Sequence, residues 1–200
     1  MKKALKFGLF SLLVIIVVVV WQQYPRLNII TGFSAKSVCS CTFEAKRDLA
    51  SIEAGDNDIN PIKYAKNKIN FVDKTVTSSF FGLKHRTAIY KEGVGCVLLP
   101  ETYIINRKFK PKRSLLKSKL PFPYGDLPQK DTVFSHVNYE DLNTAVENAF
   151  DKPGDSVKRT RAVLVLHKSQ IIAEKYAEGF SKETKMLGWS MTKSIANAVL

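Results

Sequence analysis

Ser190, Met191, Thr192 and Lys193 form an S-x-x-K tetrad near the end of the 200-residue chain. Residues three apart share a face of a helix, so the ammonium of Lys193 can reach the hydroxyl of Ser190. A serine hydroxyl is a poor nucleophile until a base removes its proton, and a lysine that is desolvated or set beside another cation can act as that base. A helix N-terminus adds partial positive charge where an oxyanion would form. The chemistry implied is acyl transfer through a serine ester. Spacing alone does not single this tetrad out: a chain with 15 serines and 24 lysines in 200 residues carries about two such spacings by chance, and two occur. The other, Ser114 to Lys117, lies in a basic stretch near Pro111 without a helix start and is assigned no catalytic role. Context distinguishes Ser190. A hairpin pattern and a loop ending in Gly188-Trp189 precede it, and Met191, Ile195, Ala198 and Val199 follow at helical spacing.

Several elements must position this pair. Residues 162–166 are a continuous apolar strand, Lys168-Ser169 a turn, and 171–176 a returning strand before Gly179. Upstream, Asn138 caps a helix in which Leu142, Ala145, Val146, Ala149 and Phe150 recur at steps of three and four, and Pro153-Gly154 closes it. Two β-rich runs, 71–81 and 86–90, flank Gly82 as a hairpin, and a third, 96–99, follows the Gly93 and Gly95 turn. Pro121, Pro123, Gly125 and Pro128 make an irregular linker. The helical pattern after Ser190 runs to Leu200 with no cap or breaker, and a two-stranded hairpin alone is marginal, so a larger domain is expected to continue beyond this chain.

With those residues in place, 161–200 (AVLVLHKSQIIAEKYAEGF, then LGWSMTKSIANAVL) resembles the nucleophile region of the serine β-lactamase-related hydrolases. The subgroup is that of class C β-lactamases, DD-peptidases, esterases and especially 6-aminohexanoate-dimer hydrolase-like proteins. The helix at 139–150, the run AIYKEGVGCVLL and the early AKSVCSCTF are similar to the N-terminal part of that last subgroup. The resemblance implies an α/β (α+β) fold of the β-lactamase/DD-peptidase type, an antiparallel sheet with helices, cut off after the start of the nucleophile helix. It also implies that Ser190 is the acylated nucleophile, Lys193 its proton-handling partner and the Ser190 backbone N–H half of an oxyanion hole. The substrate would be a small-molecule or peptide-like amide or ester, a linear amide in preference to a β-lactam, with no cofactor. The family pattern further requires a Y-x-N tyrosine and a later K-T-G strand downstream of the serine. Neither occurs before Leu200, and Tyr64-Ala65-Lys66-Asn67 has the wrong spacing on the wrong side. The chain is therefore expected to be the first part of such a hydrolase, inactive by itself.

The N-terminus sets the compartment. Lys2, Lys3 and Lys6 precede a run that is apolar from Phe7 to Trp21 apart from Ser11. Residues 4–21 as a helix rise about 27 Å, just reaching a hydrocarbon core of about 30 Å. Gln22, Gln23, Tyr24, Pro25 and Arg26 follow in place of the small residues of a secretory cleavage site, so retention as an anchor is favoured over a cleaved signal peptide. The positive-inside rule then leaves residues from about 24 onward in the periplasm or outside the cell. There, one bond between Cys96 and either Cys39 or Cys41 fits, with Cys39 preferred; three buried thiols is the alternative. In a strand, Cys39 and Cys41 would face the same side.

The net charge of +13 is partly local: seven of the thirteen residues at 107–119 are Lys or Arg. Such a stretch is expected to be a solvated loop, and a noncatalytic membrane-tethered module using it on anionic lipid or cell-wall polymer is the competing functional reading. Phe109 is its lone aromatic and no nucleic-acid motif accompanies it, so no nucleic-acid partner is expected. His85, His136 and His167 read as exposed or satisfied structural residues, and neither a metal nor a nucleotide site has support. The organisation expected is a membrane anchor or signal segment at 1–23, an extension with β-hairpins and the basic loop at 24–130, and the start of the hydrolase domain at 131–200.

Overall fold

In a computed structural model, residues 2–100, 118–154 and 157–200 are described, with side chains from residue 8. The chain is mixed α+β with antiparallel sheets and one long apolar N-terminal helix. The described residues form two compact units, 2–100 with 186–200, and 118–154 with 157–185.

The first unit begins with α1 (Lys2–Gln23), which passes through a single 3-10 turn at Tyr24–Arg26 into α2 (Leu27–Phe43). Leu9, Phe10, Leu12, Val17 and Trp21 are all exposed, so α1 is apolar around its whole circumference. Such a surface is stable only in a lipid or an equally apolar setting. α2 is built differently. Thr31, Ser34, Ala35, Val38 and Cys39 are fully buried, and these small side chains bring the helix close to a four-stranded antiparallel meander of order β1-β2-β3-β4. The strands are β1 (Ala65–Asn70), β2 (Thr75–Phe80), β3 (Leu83–Lys91) and β4 (Gly95–Leu98). Val76, Ala88 and Cys96 face the helix and, with Ile52 of α3 (Leu49–Ala54), complete the core.

The β2–β3 connection, Phe81-Gly82, has φ of 48° and 75°, the pair of left-handed residues that a two-residue hairpin demands. Asn70 closes the β1–β2 turn by accepting from the N–H groups of Val72 (2.9 Å) and Asp73 (3.1 Å). A polar network crosses the core: Asn67 Oδ1 accepts from Ser34 Oγ (2.7 Å) and from Ser78 Oγ, and Asn57 Nδ2 donates to Ser34 Oγ (3.1 Å). It ties α2, β1 and β2 to the segment after α3.

Cys39 and Cys96 form a disulfide joining α2 to β4, with Cα atoms 6.0 Å apart. Because 39 and 41 lie on a helix, the strand geometry that would put both on one side does not apply: two residues turn about 200° in a helix. Cys41 is buried away from the disulfide, with the Arg47 guanidinium 3.9 Å from its sulfur.

The second unit holds α4 (Tyr139–Asn148) and a hairpin of β5 (Ala162–His167) and β6 (Gln170–Tyr176). Asn138 caps α4 by accepting from the N–H groups of Glu140 and Asp141 at 3.1 and 3.2 Å. At its other end the Lys158 ammonium donates to the carbonyls of Asn148 (2.9 Å) and Phe150 (3.1 Å), groups the helix leaves unpaired. The β5–β6 turn is Lys168-Ser169, as the sequence pattern indicates.

Candidate active site

Ser190 sits at the entrance of α5 (Met191–Val199), in the first unit. Three successive tight turns lead into the helix: Met191 N–H donates to Gly188 O (2.9 Å), Thr192 N–H to Trp189 O (3.1 Å) and Lys193 N–H to Ser190 O (3.1 Å). Gly188 lies close under this winding: a Cβ there would be 2.8 Å from the Thr192 hydroxyl, which would have to turn away. Trp189 adopts φ of 44°, a left-handed conformation disfavoured for a bulky residue, and its ring packs 5.3 Å from that of Phe33 on α2. The loop is thus fastened on one side of the serine by an aromatic contact and by Leu187, which packs against the core.

The backbone of Ser190 is helical (φ −67°, ψ −16°). An N-cap side chain turns back onto its helix from an extended backbone, so here the hydroxyl makes no capping bond. Among the described residues the N–H of Ser190 likewise has no acceptor. The serine therefore offers an uncommitted hydroxyl and an uncommitted amide at the positive end of a nine-residue helix. Lys193 follows three residues on. Both side chains are exposed, and no hydrogen bond joins them.

Beside this entrance lies a groove of about 260 Å³ between α2 and the 187–192 segment, walled by Phe33, Lys36, Leu187, Trp189 and Thr192. Ser37 also lines it, and its buried hydroxyl has no hydrogen-bond partner among the described residues. The sequence gives no sign of this groove, because Phe33 and Trp189 are more than 150 positions apart.

Elsewhere, Ser114 and Lys117, and the basic stretch apart from 118 and 119, lie outside the described residues. His85 Nε2 sits 3.2 Å from Gly82 O, fixing the β2–β3 turn. His136 and His167, treated separately in sequence, come together in the second unit. Among the described residues no group of three or more His, Cys, Asp or Glu is placed to hold a metal. Comparison with known proteins finds no matching family model, no matching curated protein and no matching solved structure.

Proposed function

We propose that this chain is part of a membrane-anchored serine hydrolase of the β-lactamase-related type, facing the periplasm or cell exterior, with Ser190 as the acylated nucleophile and Lys193 as its base. The observation that carries the reading is Ser190 at the entrance of α5, hydroxyl and N–H both uncommitted, three residues before Lys193. In the reaction, Lys193 takes the serine proton, the alkoxide attacks an amide or ester carbonyl, and the developing oxyanion is met by the Ser190 N–H and the helix N-terminus. The leaving amine or alcohol then takes up a proton, and water hydrolyses the ester. The Cys39–Cys96 bond supports an oxidising compartment, and Lys2, Lys3 and Lys6 before the apolar run support an anchor with its N-terminus in the cytoplasm.

Labelling of native membranes with a fluorescent fluorophosphonate tests this. The label is expected on Ser190, absent from Ser190→Ala and weakened by about a hundredfold or more in rate by Lys193→Ala, the usual scale for loss of a general base. A label that persists in Ser190→Ala, or none at all, contradicts the proposal. Salt-sensitive binding to anionic vesicles that disappears when 107–119 is neutralised would favour the noncatalytic alternative.

A further inference from the structure

How α2 lies on the meander decides which end of the first unit meets α1. A Cβ at Gly32 would lie 3.0 Å from the Leu98 side chain at the end of β4, whereas Cys39 is bonded to Cys96 and a Cβ at Gly95 would lie 3.9 Å from the Glu44 carboxylate. β4 therefore runs toward the start of α2, and its antiparallel partner β3 begins there. The β2–β3 turn is carried to the same end, from which α1 departs. Direct contact agrees: the Lys84 ammonium stands 4.7 Å from the centre of the Tyr24 ring, in the 3-10 turn between α1 and α2. The tip of that β-turn is apolar and open, with Phe81 70% and Leu83 48% exposed. Tyr64, just before β1, stacks on Phe81 with ring centres 6.5 Å apart, and the Lys63 ammonium lies 5.4 Å from the centre of the Tyr64 ring.

A contiguous exposed apolar patch marks a binding surface, and the depth of this one says what covers it. Tyr24 follows Trp21, the end of the apolar run, by three residues, so it lies about 5 Å beyond the hydrocarbon core, within a headgroup layer about 5 to 8 Å thick. Lys84 reaches the same level through its contact with Tyr24. Aromatic rings flanked by lysines are the composition that settles in this layer, where an ammonium meets lipid phosphate. The far end of the meander also exposes apolar turn residues, Phe71 and Val72, but that turn lies beside Phe43, away from α1. Exposure alone does not separate the two turns; their distance from α1 does. We propose that Phe81, Leu83 and Tyr64 dip into the leaflet from which α1 emerges, with Lys63 and Lys84 at the phosphates of anionic phospholipid, so that the first unit rests on the bilayer surface. This surface rests on the reading of α1 as a membrane anchor and is independent of Ser190.

Photocrosslinking of the full chain in vesicles of phosphatidylethanolamine and phosphatidylglycerol tests this. One exposed residue at a time is replaced by a photoreactive one: Phe81→p-benzoylphenylalanine at the proposed surface, Val72→p-benzoylphenylalanine at the far turn and Trp21→p-benzoylphenylalanine in the anchor. Formation of the Cys39–Cys96 bond shows that each variant has folded. Irradiation is expected to give lipid adducts at positions 21 and 81, and on the order of tenfold less at 72, the partition gained by burying one large apolar side chain. Lys63→Gln combined with Lys84→Gln should lower the adduct at 81 at least about fivefold, the preference a single basic residue gains at an anionic surface. With position 21 labelled, a yield at 81 no greater than at 72, or one indifferent to the two lysines, overturns the surface and leaves the anchor standing. Failure to label position 21 removes the anchor and the proposal with it.

Discussion

Ser190 enters α5 with helical dihedrals, and that choice decides what its hydroxyl does. Had it been extended, the oxygen would have turned back to cap the helix and been spent on structure. Instead the capping duty passes to tight-turn carbonyls, and the hydroxyl is left to meet something else. Among the described residues no wall encloses it: Ser190 and Lys193 are open to water and unbonded to one another. A base in water holds its proton, and an oxyanion in water gains little from a helix terminus. The isolated 200-residue polypeptide is therefore expected to show no measurable hydrolysis of a chromogenic ester or cephalosporin, and turnover that Ser190→Ala abolishes would contradict this. A second prediction concerns Tyr176. Its hydroxyl donates to Glu174, which raises its pKa above the ordinary 10.0, and the negative charges of Glu174 and Glu183 push the same way. The folded state thus holds the phenol proton more firmly than the unfolded chain does. The stability this contributes is complete below the ordinary tyrosine range and disappears as pH rises through the folded value. Absorbance titration of the phenolates should show a late-titrating group that Tyr176→Phe removes and Glu174→Gln moves back toward 10.0.

Elements differ in how openly they were written. The β5–β6 hairpin was legible from its apolar run and two polar turn residues, yet that turn is built against preference. Lys168 and Ser169 have φ of 47° and 61°, where a side chain costs roughly 1 to 2 kcal/mol per residue. Leu164 and Leu166 are about half exposed, so side-chain burial does little to offset that strain. Ser169→Gly removes it at one position at an entropic cost of roughly 0.5 to 1 kcal/mol, for a net gain centred on about 0.75 kcal/mol and no larger than about 1.5 kcal/mol. The expected outcome is slower hydrogen exchange at the β5 and β6 amides; unchanged or faster exchange would count against the turn assignment. The β2–β3 turn already has glycine at its second position. Asn138 announced α4 in the same way, through a side chain whose local bonding is fixed by type. α2 was hidden because its buried face is Thr31, Ser34, Ala35 and Val38: close approach to a sheet selects small residues, which carry little hydropathy signal. β1, Ala65–Asn70, was hidden because an edge strand keeps charged residues such as Lys66 and Lys68. Around the candidate site, the local Gly-Trp-Ser entrance could be read, whereas the Phe33–Trp189 contact and the approach of His136 to His167 depend on folding distant segments together and could not.

At the scale of the whole molecule, the decisive feature is the continuity of α1 with α2. Across 22 residues α1 extends about 33 Å, enough for a hydrocarbon core of about 30 Å. Only a 3-10 turn at Tyr24–Arg26 separates it from a helix whose small residues are buried against the meander sheet and stapled to β4 by Cys39–Cys96. A bond closing 57 residues withdraws loop entropy from the unfolded chain worth roughly 4 kcal/mol. α1 thus passes into the buried, disulfide-bonded helix of its unit through a single 3-10 turn, with no extended linker between. A leader peptidase needs small residues in an extended segment after the apolar run, and Gln22, Gln23 and Tyr24 are neither small nor extended. The expected outcome is a protein that stays in the membrane pellet through an alkaline carbonate wash and whose intact mass includes residues 1–23, while a chain beginning at residue 24 is recovered in the supernatant with the Cys39–Cys96 bond formed. Full-length protein found with residue 24 or later at its N-terminus, or released by carbonate, would make α1 a removable leader and leave the first unit without an anchor.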